Sequence, residues 1–306
     1  MGVKFMAHIF ITRLLVSNNR IGGATGISRE GQIFVFKAPV IVLATGGYAP
    51  IYLNTNNAPG ITGDGQALAY EAGISLKDME FVQFYPTARG RRGSRLLLYE
   101  KILAQKGVVI KTSGDEDIFK RYNISDPMTV TRDQLAQLMI MAARGGDTRG
   151  GKRGERKTIE RLGIGPEDIW MDISSLTNEK ARMLAPLLPK VYWKGQKRFK
   201  VTPTAHFCMG GIVIDDCGRT SVKGLFAIGE ATAGAHGANR LGGNALAEIF
   251  TMGSMAGKIA GKYALQKAAK VSIRDACKAE IKRLQKLFYV KGVPSRLLID
   301  ELKAVM

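Results

Sequence analysis

Arg240 lies in HGANRLGGNALAE, His236 to Glu248, with Gly237, Ala238, Gly242 and Gly243 about it and a helix-like pattern after it. Small residues let a backbone approach another molecule closely, and an arginine set among them raises the question of what it grips. A second cluster, Ala44-Thr45-Gly46-Gly47, ends the apolar run APVIVLATGGY. A buried strand that stops at a glycine pair is how a parallel sheet presents its carboxyl edge to a ligand, although an ordinary strand and turn would read the same way. A third cluster, Gly63-Asp64-Gly65, sits just before a helix-like stretch from Gln66 to Ala72. Amides at a helix start favour anions and polar ligand atoms, while Asp64 taken alone is equally a plain N-cap. His206 stands in the dense motif TPTAHFCMGG, and Glu230 follows the apolar LFAIG.

These residues need elements to carry them. Residues 8–16 and 31–37 read as strands, with turn signals at Asn18-Asn19-Arg20 and Gly22-Gly23 between them. Val40 to Ala44 reads as a fully apolar, buried strand, and Glu80 to Tyr85 as a strand that stops at Pro86. From 88 to 200 the text is more basic and less regular, and Arg132 to Arg144 is its clearest helix, with Met139 and Met141 as core side chains. Strands follow at Gly211 to Asp215 and Leu225 to Gly229, then a helix from Asn244 to about Tyr263, a basic amphipathic helix from Ile273 to Leu287 and a second short helix. The pattern is one segmented α/β domain interrupted by an insertion, with neither internal repeats nor low-complexity segments.

Composition bounds the function. The chain has 306 residues, 45% of them apolar, which is enough for two domains with cores of their own. Three scattered cysteines, Cys208, Cys217 and Cys277, give no metal spacing and suit a reducing compartment. No apolar run reaches the roughly 18 residues of a membrane span, and no signal peptide is visible. The formal charge is +19. The densest basic stretches, Arg89 to Arg95 and Arg144 to Lys157, lack the interleaved aromatics of a base-stacking surface, so they read as solvated loops or a protein-facing surface, and nucleic acid is not the expected partner.

Taken together, ATGG, NTNNAPGITGDGQALAYEAG, DMEFVQF-PT, TAHFCMGGI, GLFAIGEA and HGANRLGGNALAE resemble the flavoprotein subunits of fumarate reductase and succinate dehydrogenase, a superfamily that includes L-aspartate oxidase. They occur in the family's order over nearly the whole chain, with a thinner match over 88–200 and after 265. The resemblance implies a segmented Rossmann-like FAD-binding domain, incomplete at its N-terminus, formed by 1–87 and 202–265. An α+β capping domain would span 88–201, and a C-terminal helical segment would begin at 266. It implies an FAD-dependent oxidoreductase in which hydride moves between flavin N5 and a carbon of a small carboxylate or dicarboxylate.

The same resemblance implies the site. Ala44, Thr45, Gly46, Gly47, Asp64, Asn244, Ala245 and Leu246 would face the flavin, and Glu230 would bond its ribityl or ribose hydroxyls. The Asn244 helix start would meet the flavin's pyrimidine end, where negative charge builds on reduction. Arg240 would grip a substrate carboxylate with its two-pronged donor. His206, Thr87 and Tyr85 would touch the substrate, and Arg132 would donate a proton, with Glu100 in its relay. The competing readings are a capping carboxylate for Glu230, a satisfied structural histidine for His206 and a surface charge at a helix start for Arg132. An iron–sulfur or other electron-transfer subunit is the implied partner, and the implied location is cytoplasmic, at most peripheral at the inner face of a membrane.

Three departures from the family pattern stand out. Tyr85 occupies the position of a family histidine. Leu103, in YEKILAQKG (Tyr99 to Gly107), falls where the relay arginine is expected, and a proton path through leucine does not work. No strand–GxGxxG–helix unit precedes residue 40, so the expectation is that these 306 residues alone hold FAD weakly or not at all. That unit would come from a missing N-terminal segment or from another chain. A remnant or binding module that has lost FAD binding is the alternative function.

Overall fold

The structure, a computed structural model, describes residues 2–91, 94–98, 100–143, 169–266 and 272–306. The basic stretch from Arg144 to Lys157 lies outside the described residues, as do Arg92, Gly93 and Tyr99. In chain order the first elements are β1 (Ile9–Ser17), β2 (Arg20–Ser28), β3 (Ile33–Lys37), β4 (Ile41–Leu43), α1 (Asp64–Glu71) and β5 (Leu76–Lys77). Next come β6 (Val82–Arg91), β7 (Ser94–Leu97), α2 (Glu100–Leu103), β8 (Val109–Lys111), α3 (Ile118–Arg121), α4 (Arg132–Ala143), β9 (Ile169–Asp172), α5 (Asn178–Met183) and β10 (Arg198–Cys208). The last are β11 (Gly211–Ile212), β12 (Leu225–Ala227), α6 (Asn244–Leu265), α7 (Arg274–Tyr289) and α8 (Ser295–Val305). Helix and sheet are mixed throughout, as the α/β reading expects.

The chain forms two units. One comprises Met1–Tyr48, Ile61–Val82 and Cys208–Leu302, and the other Ala49–Gly60, Gln83–Phe207 and Lys303–Met306. The junctions thus fall at 82/83 and 207/208 rather than at 87/88 and 201/202, Ala49–Gly60 joins the inserted unit, and most of the segment after 266 belongs with the first unit.

In the first unit, β1, β2 and β3 form an antiparallel sheet. The pair Gly22-Gly23 is not a turn, as its composition suggested, but lies inside β2, where Gly23 opposes Lys37. A Cβ on Gly23 would run into the carbonyl oxygen of Phe36, so the glycine allows close strand approach. β4 pairs in parallel with β12, Ile41 opposite Leu225 and Leu43 opposite Ala227. β12 is buried throughout, but Val42 of β4 is 38% exposed, so the expectation of a fully buried strand fails there. β12 is also shorter than expected because Gly229 turns the chain at a φ of +63° into a 3₁₀ turn, Gly229–Ala231. The core gathers Leu14, Ile21, Leu43, Leu68, Ile74, Ile212 and Leu225. α7 is fastened to β1 by a buried carboxylate. Glu280 accepts from Arg13 Nε at 2.9 Å and from Arg283 Nε and Nη2, each at 2.7 Å. Burial pushes the Glu280 carboxyl up, but hydrogen bonds from Arg283, Thr12 and Arg13 outweigh it and hold the group below the usual range.

The second unit has a five-stranded sheet in the order β7-β6-β10-β9-β8. β6 does not stop at Pro86 but runs through it. β7 joins one edge of β6 from Ala88 onward, and β10 lies along the other edge. α4 turns Leu135, Met139 and Ala142 into a core with Ile102, Leu103, Ile110, Phe119, Met171 and Phe199, while Met141 is half-buried. That core and the alternation of β6 position the side chains described next.

Candidate active site

Each unit carries its own group of candidate residues. In the second unit β6 turns Gln83, Tyr85 and Thr87 to one face, and all three are buried. Arg132 opens α4 beside them. Its Nε donates to Glu100 Oε1 in a short contact and its Nη2 to Oε2 at 3.1 Å, a two-pronged pair, while Nη1 reaches Gln83 Oε1 at 3.4 Å. The guanidinium stands 4.9 Å from the centre of the Tyr85 ring, within range of a cation–π attraction. Burial works against its charge, but the bond and charge of Glu100, with the Tyr85 oxygen, raise the Arg132 pKa above its ordinary value. Arg132 is therefore half-buried and ion-paired, not the surface charge of the competing reading. Glu100 is the first residue of α2, and its own amide donates to the Tyr85 hydroxyl at 3.2 Å.

The Tyr85 ring meets His206 edge-on, centroids 5.4 Å apart. His206 Nδ1 lies 3.1 Å from Asn56 Oδ1, and its carbonyl accepts from Asn57 Nδ2 at 3.1 Å. Thr87 Oγ1 donates to the Leu98 carbonyl at 2.6 Å, so it offers a proton to a substrate only by turning away. Leu103 is buried in the core. Arg132, Glu100, Tyr85 and His206 are thus assembled, and Thr87 shares the strand face with its hydroxyl already engaged. Sequence reasoning missed Gln83, although it stands two residues before Tyr85 on a half-buried strand, and that spacing could have found it.

In the first unit, Ala44 to Gly47 follow β4, with Ala44 and Thr45 exposed and Gly46 at a φ of +74°. A Cβ on Gly47 would overlap Glu230 Oε1, and one on Gly65 would overlap Thr45 Oγ1. Glu230 Oε1 accepts from the Cys208 amide at 2.9 Å. Burial is the main force raising the Glu230 carboxyl above its usual range, Glu248 adds to it, and the Cys208 amide and Arg240 pull the other way. Asp64 is not the N-cap of α1. Gly63 holds that place at a φ of +87°, and Asp64 begins the helix, accepting from Thr62 Oγ1 at 3.0 Å. Gln66 Nε2 donates to the Gly46 carbonyl at 3.1 Å, while its buried Oε1 has no hydrogen-bond partner among the described residues. Asn244, Ala245 and Leu246 form the first turn of α6, which follows Gly243 and has no side-chain cap. Arg240 is buried, with Nη1 3.4 Å from the Leu241 carbonyl. His236 Nε2 pairs with Glu248 Oε2 at 2.8 Å, a contact that the sequence reading did not identify.

A family model described as an FAD binding domain matches residues 1–246. One subunit of the fumarate reductase (CoM/CoB) of Methanothermobacter marburgensis is 33% identical over 99% of this chain and 54% of its own length. The fumarate reductase flavoprotein subunit of Escherichia coli is 32% identical over 87% of this chain and 44% of its own, and the L-aspartate oxidase of Pseudomonas aeruginosa 34% over 78% and 42%. A solved quinol-fumarate reductase with menaquinol superposes with a TM-score of 0.80 at 29% identity, covering 97% of this chain and 53% of that one. The chain belongs to the fumarate reductase and succinate dehydrogenase flavoprotein superfamily, and its cofactor is FAD. It spans about half the length of the curated relatives it matches. The residues present fit that cofactor. The buried Gln66 Oε1 beside Gly46 needs a donor such as a ligand hydroxyl, and an uncapped helix start favours a ligand atom that gathers negative charge. No helix among the described residues is long and apolar enough to cross a membrane.

Proposed function

We propose that this chain supplies the flavin-binding and acid–base parts of an oxidoreductase acting on a small carboxylate. The observation that carries the reading is the Arg132–Glu100 pair set against Tyr85 and Gln83. FAD, when bound, accepts or supplies the hydride at N5. The protein's share is to hold the substrate, exclude water and deliver a proton. Ala44, Thr45, Gly46, Gly47, Asp64, Glu230, Asn244, Ala245 and Leu246 hold the flavin. Arg240 binds a substrate carboxylate through its fork, and His206 offers a second carboxylate contact, with Tyr85 and Thr87 beside it. Arg132 passes a proton to the substrate carbon, and Glu100, bonded to it through both oxygens, is the group through which that proton is replaced. An arginine normally stays protonated, so this role needs a group that restores its proton promptly, and the Glu100 contact is the condition for it.

Leu103 is packed in the core, so proton delivery to Glu100 does not pass that way. Tyr85 carries no charge near neutral pH, so at that end it adds one neutral hydrogen bond beside the His206 contact. An electron-transfer protein, one with an iron–sulfur centre as the family resemblance implies, would exchange electrons with the flavin at the cytoplasmic face. Because no strand–GxGxxG–helix unit is among these 306 residues, turnover is expected of the complete flavin-loaded protein. Stoichiometric FAD retained by the 306 residues alone would overturn that part.

The test is anaerobic stopped-flow with the complete protein, its flavin reduced chemically and mixed with fumarate or with mono-carboxylate enoates. Flavin reoxidation by one of them, abolished in Arg132→Ala, is the expected result. No reoxidation by any carboxylate or enone would sink the reading and leave a non-catalytic binding module.

A further inference from the structure

The loop that carries Arg240 is held in an unusual way. Gly234, Gly237 and Gly243 all adopt positive φ, and a Cβ added to any of them would meet nothing within 4 Å. Leu241, Gly242, Gly243 and Asn244 are exposed. Side-chain packing therefore does little to fix these backbone positions. The loop is also tied at its base. His236, where the loop begins, and Glu248, in the second turn of α6, are paired at 2.8 Å with side chains only 8% and 7% exposed. A carboxylate only accepts, so Nε2 carries the proton of this bond. Arg240 is the buried side chain between the two ends, and it lies in the field of Glu230, which in turn feels Glu248. A buried hydrogen bond at the base is placed to select one loop conformation among those that open glycines would allow.

We propose that His236 and Glu248 form a latch that closes the glycine-rich loop and thereby positions Arg240 for a carboxylate. Both are positioning residues, since neither is required to touch the substrate. The inference rests on the carboxylate role proposed for Arg240, but the latch itself is a statement about residues 236–248 and is measured separately.

The experiment uses the complete flavin-loaded protein with His236→Ala, His236→Gln and Glu248→Gln. Amide hydrogen exchange over 237–247 should speed up about tenfold or more in His236→Ala, the equivalent of losing about 1.4 kcal/mol or more of local closure. Both glutamine variants keep a donor–acceptor pair and should restore most of the protection. With an accepted substrate, KM should rise about tenfold in His236→Ala while kcat and flavin content change little, because a misplaced Arg240 weakens binding rather than chemistry. Exchange unchanged in His236→Ala, or a loss that neither glutamine variant repairs, overturns the latch. If no carboxylate reacts with the parent protein, the proposed function falls and the exchange result still decides the latch.

Discussion

In the second unit the candidate groups are side chains braced by other side chains. Arg132 is gripped by Glu100, faces the Tyr85 ring and opens a helix whose buried face enters the core. In the first unit most of the candidate surface is backbone. Gly46, Gly63, Gly229 and Gly243 bend the chain at positive φ, and Thr45, Asn244 and Leu246 stand exposed. The contrast follows from the work proposed for each. A proton donor must hold its charge and direction, which requires packing and an ion pair. A cofactor with hydroxyls and polar ring atoms is met by amides and carbonyls, which need room for close approach.

That comparison makes separable predictions. The largest effect is expected from Arg132→Ala, which should slow flavin reoxidation by at least about 100-fold while leaving bound flavin, measured by absorbance, unchanged. Loss of flavin from that variant would break the division of labour between the units. Next is Gly65→Ala, whose methyl group would collide with Thr45. It should cost about 1–3 kcal/mol in denaturant unfolding and weaken flavin binding in a fluorescence titration, with part of the loss recovered by adding Thr45→Ala.

Glu230→Gln sharpens the electrostatic side. The folded protein holds the Glu230 proton to higher pH than the unfolded chain does. Stability therefore falls as pH rises through the ordinary carboxylate range toward the raised value. The glutamine, which never ionises and still accepts from Cys208, should raise the melting temperature by a few degrees at pH 7, and the gain should fade below the ordinary carboxylate pKa. A gain that persists undiminished at low pH would refute the raised carboxyl. The smallest effect belongs to Gly243→Ala. The φ of +89° penalises the alanine, but open space surrounds it, so about 1 kcal/mol in urea unfolding is expected.

Much of the architecture could be read from local pattern. α4 and α6 begin where their sequence signals place them, at Arg132 and Asn244. β2 escaped because two adjacent glycines look like a turn unless one knows that Phe36 must pass close by. The extent of β6 escaped because a proline's effect depends on which neighbour is present. Of the candidate site, Arg132 and Glu100 were found through ordered motifs rather than any local rule, since their pairing joins positions 32 apart. His236 and Glu248 lay in the most conspicuous stretch of the chain and still went unread, because one stands in the loop and the other on the helix, so their pairing follows no single period and exists only once the loop has closed.

The parallel pairing of β4 with β12 also governs the order of events during synthesis. Ile41–Leu43 leave the ribosome about 180 residues before Leu225–Ala227, which at a synthesis rate of ~5–20 residues per second is a wait of roughly 10–40 s. The core of the inserted unit, from Leu98 to Val201, is translated entirely within that interval. The core of the inserted unit can therefore assemble on the nascent chain while β4 still lacks this neighbour, so the pairing that closes the first unit comes late in synthesis.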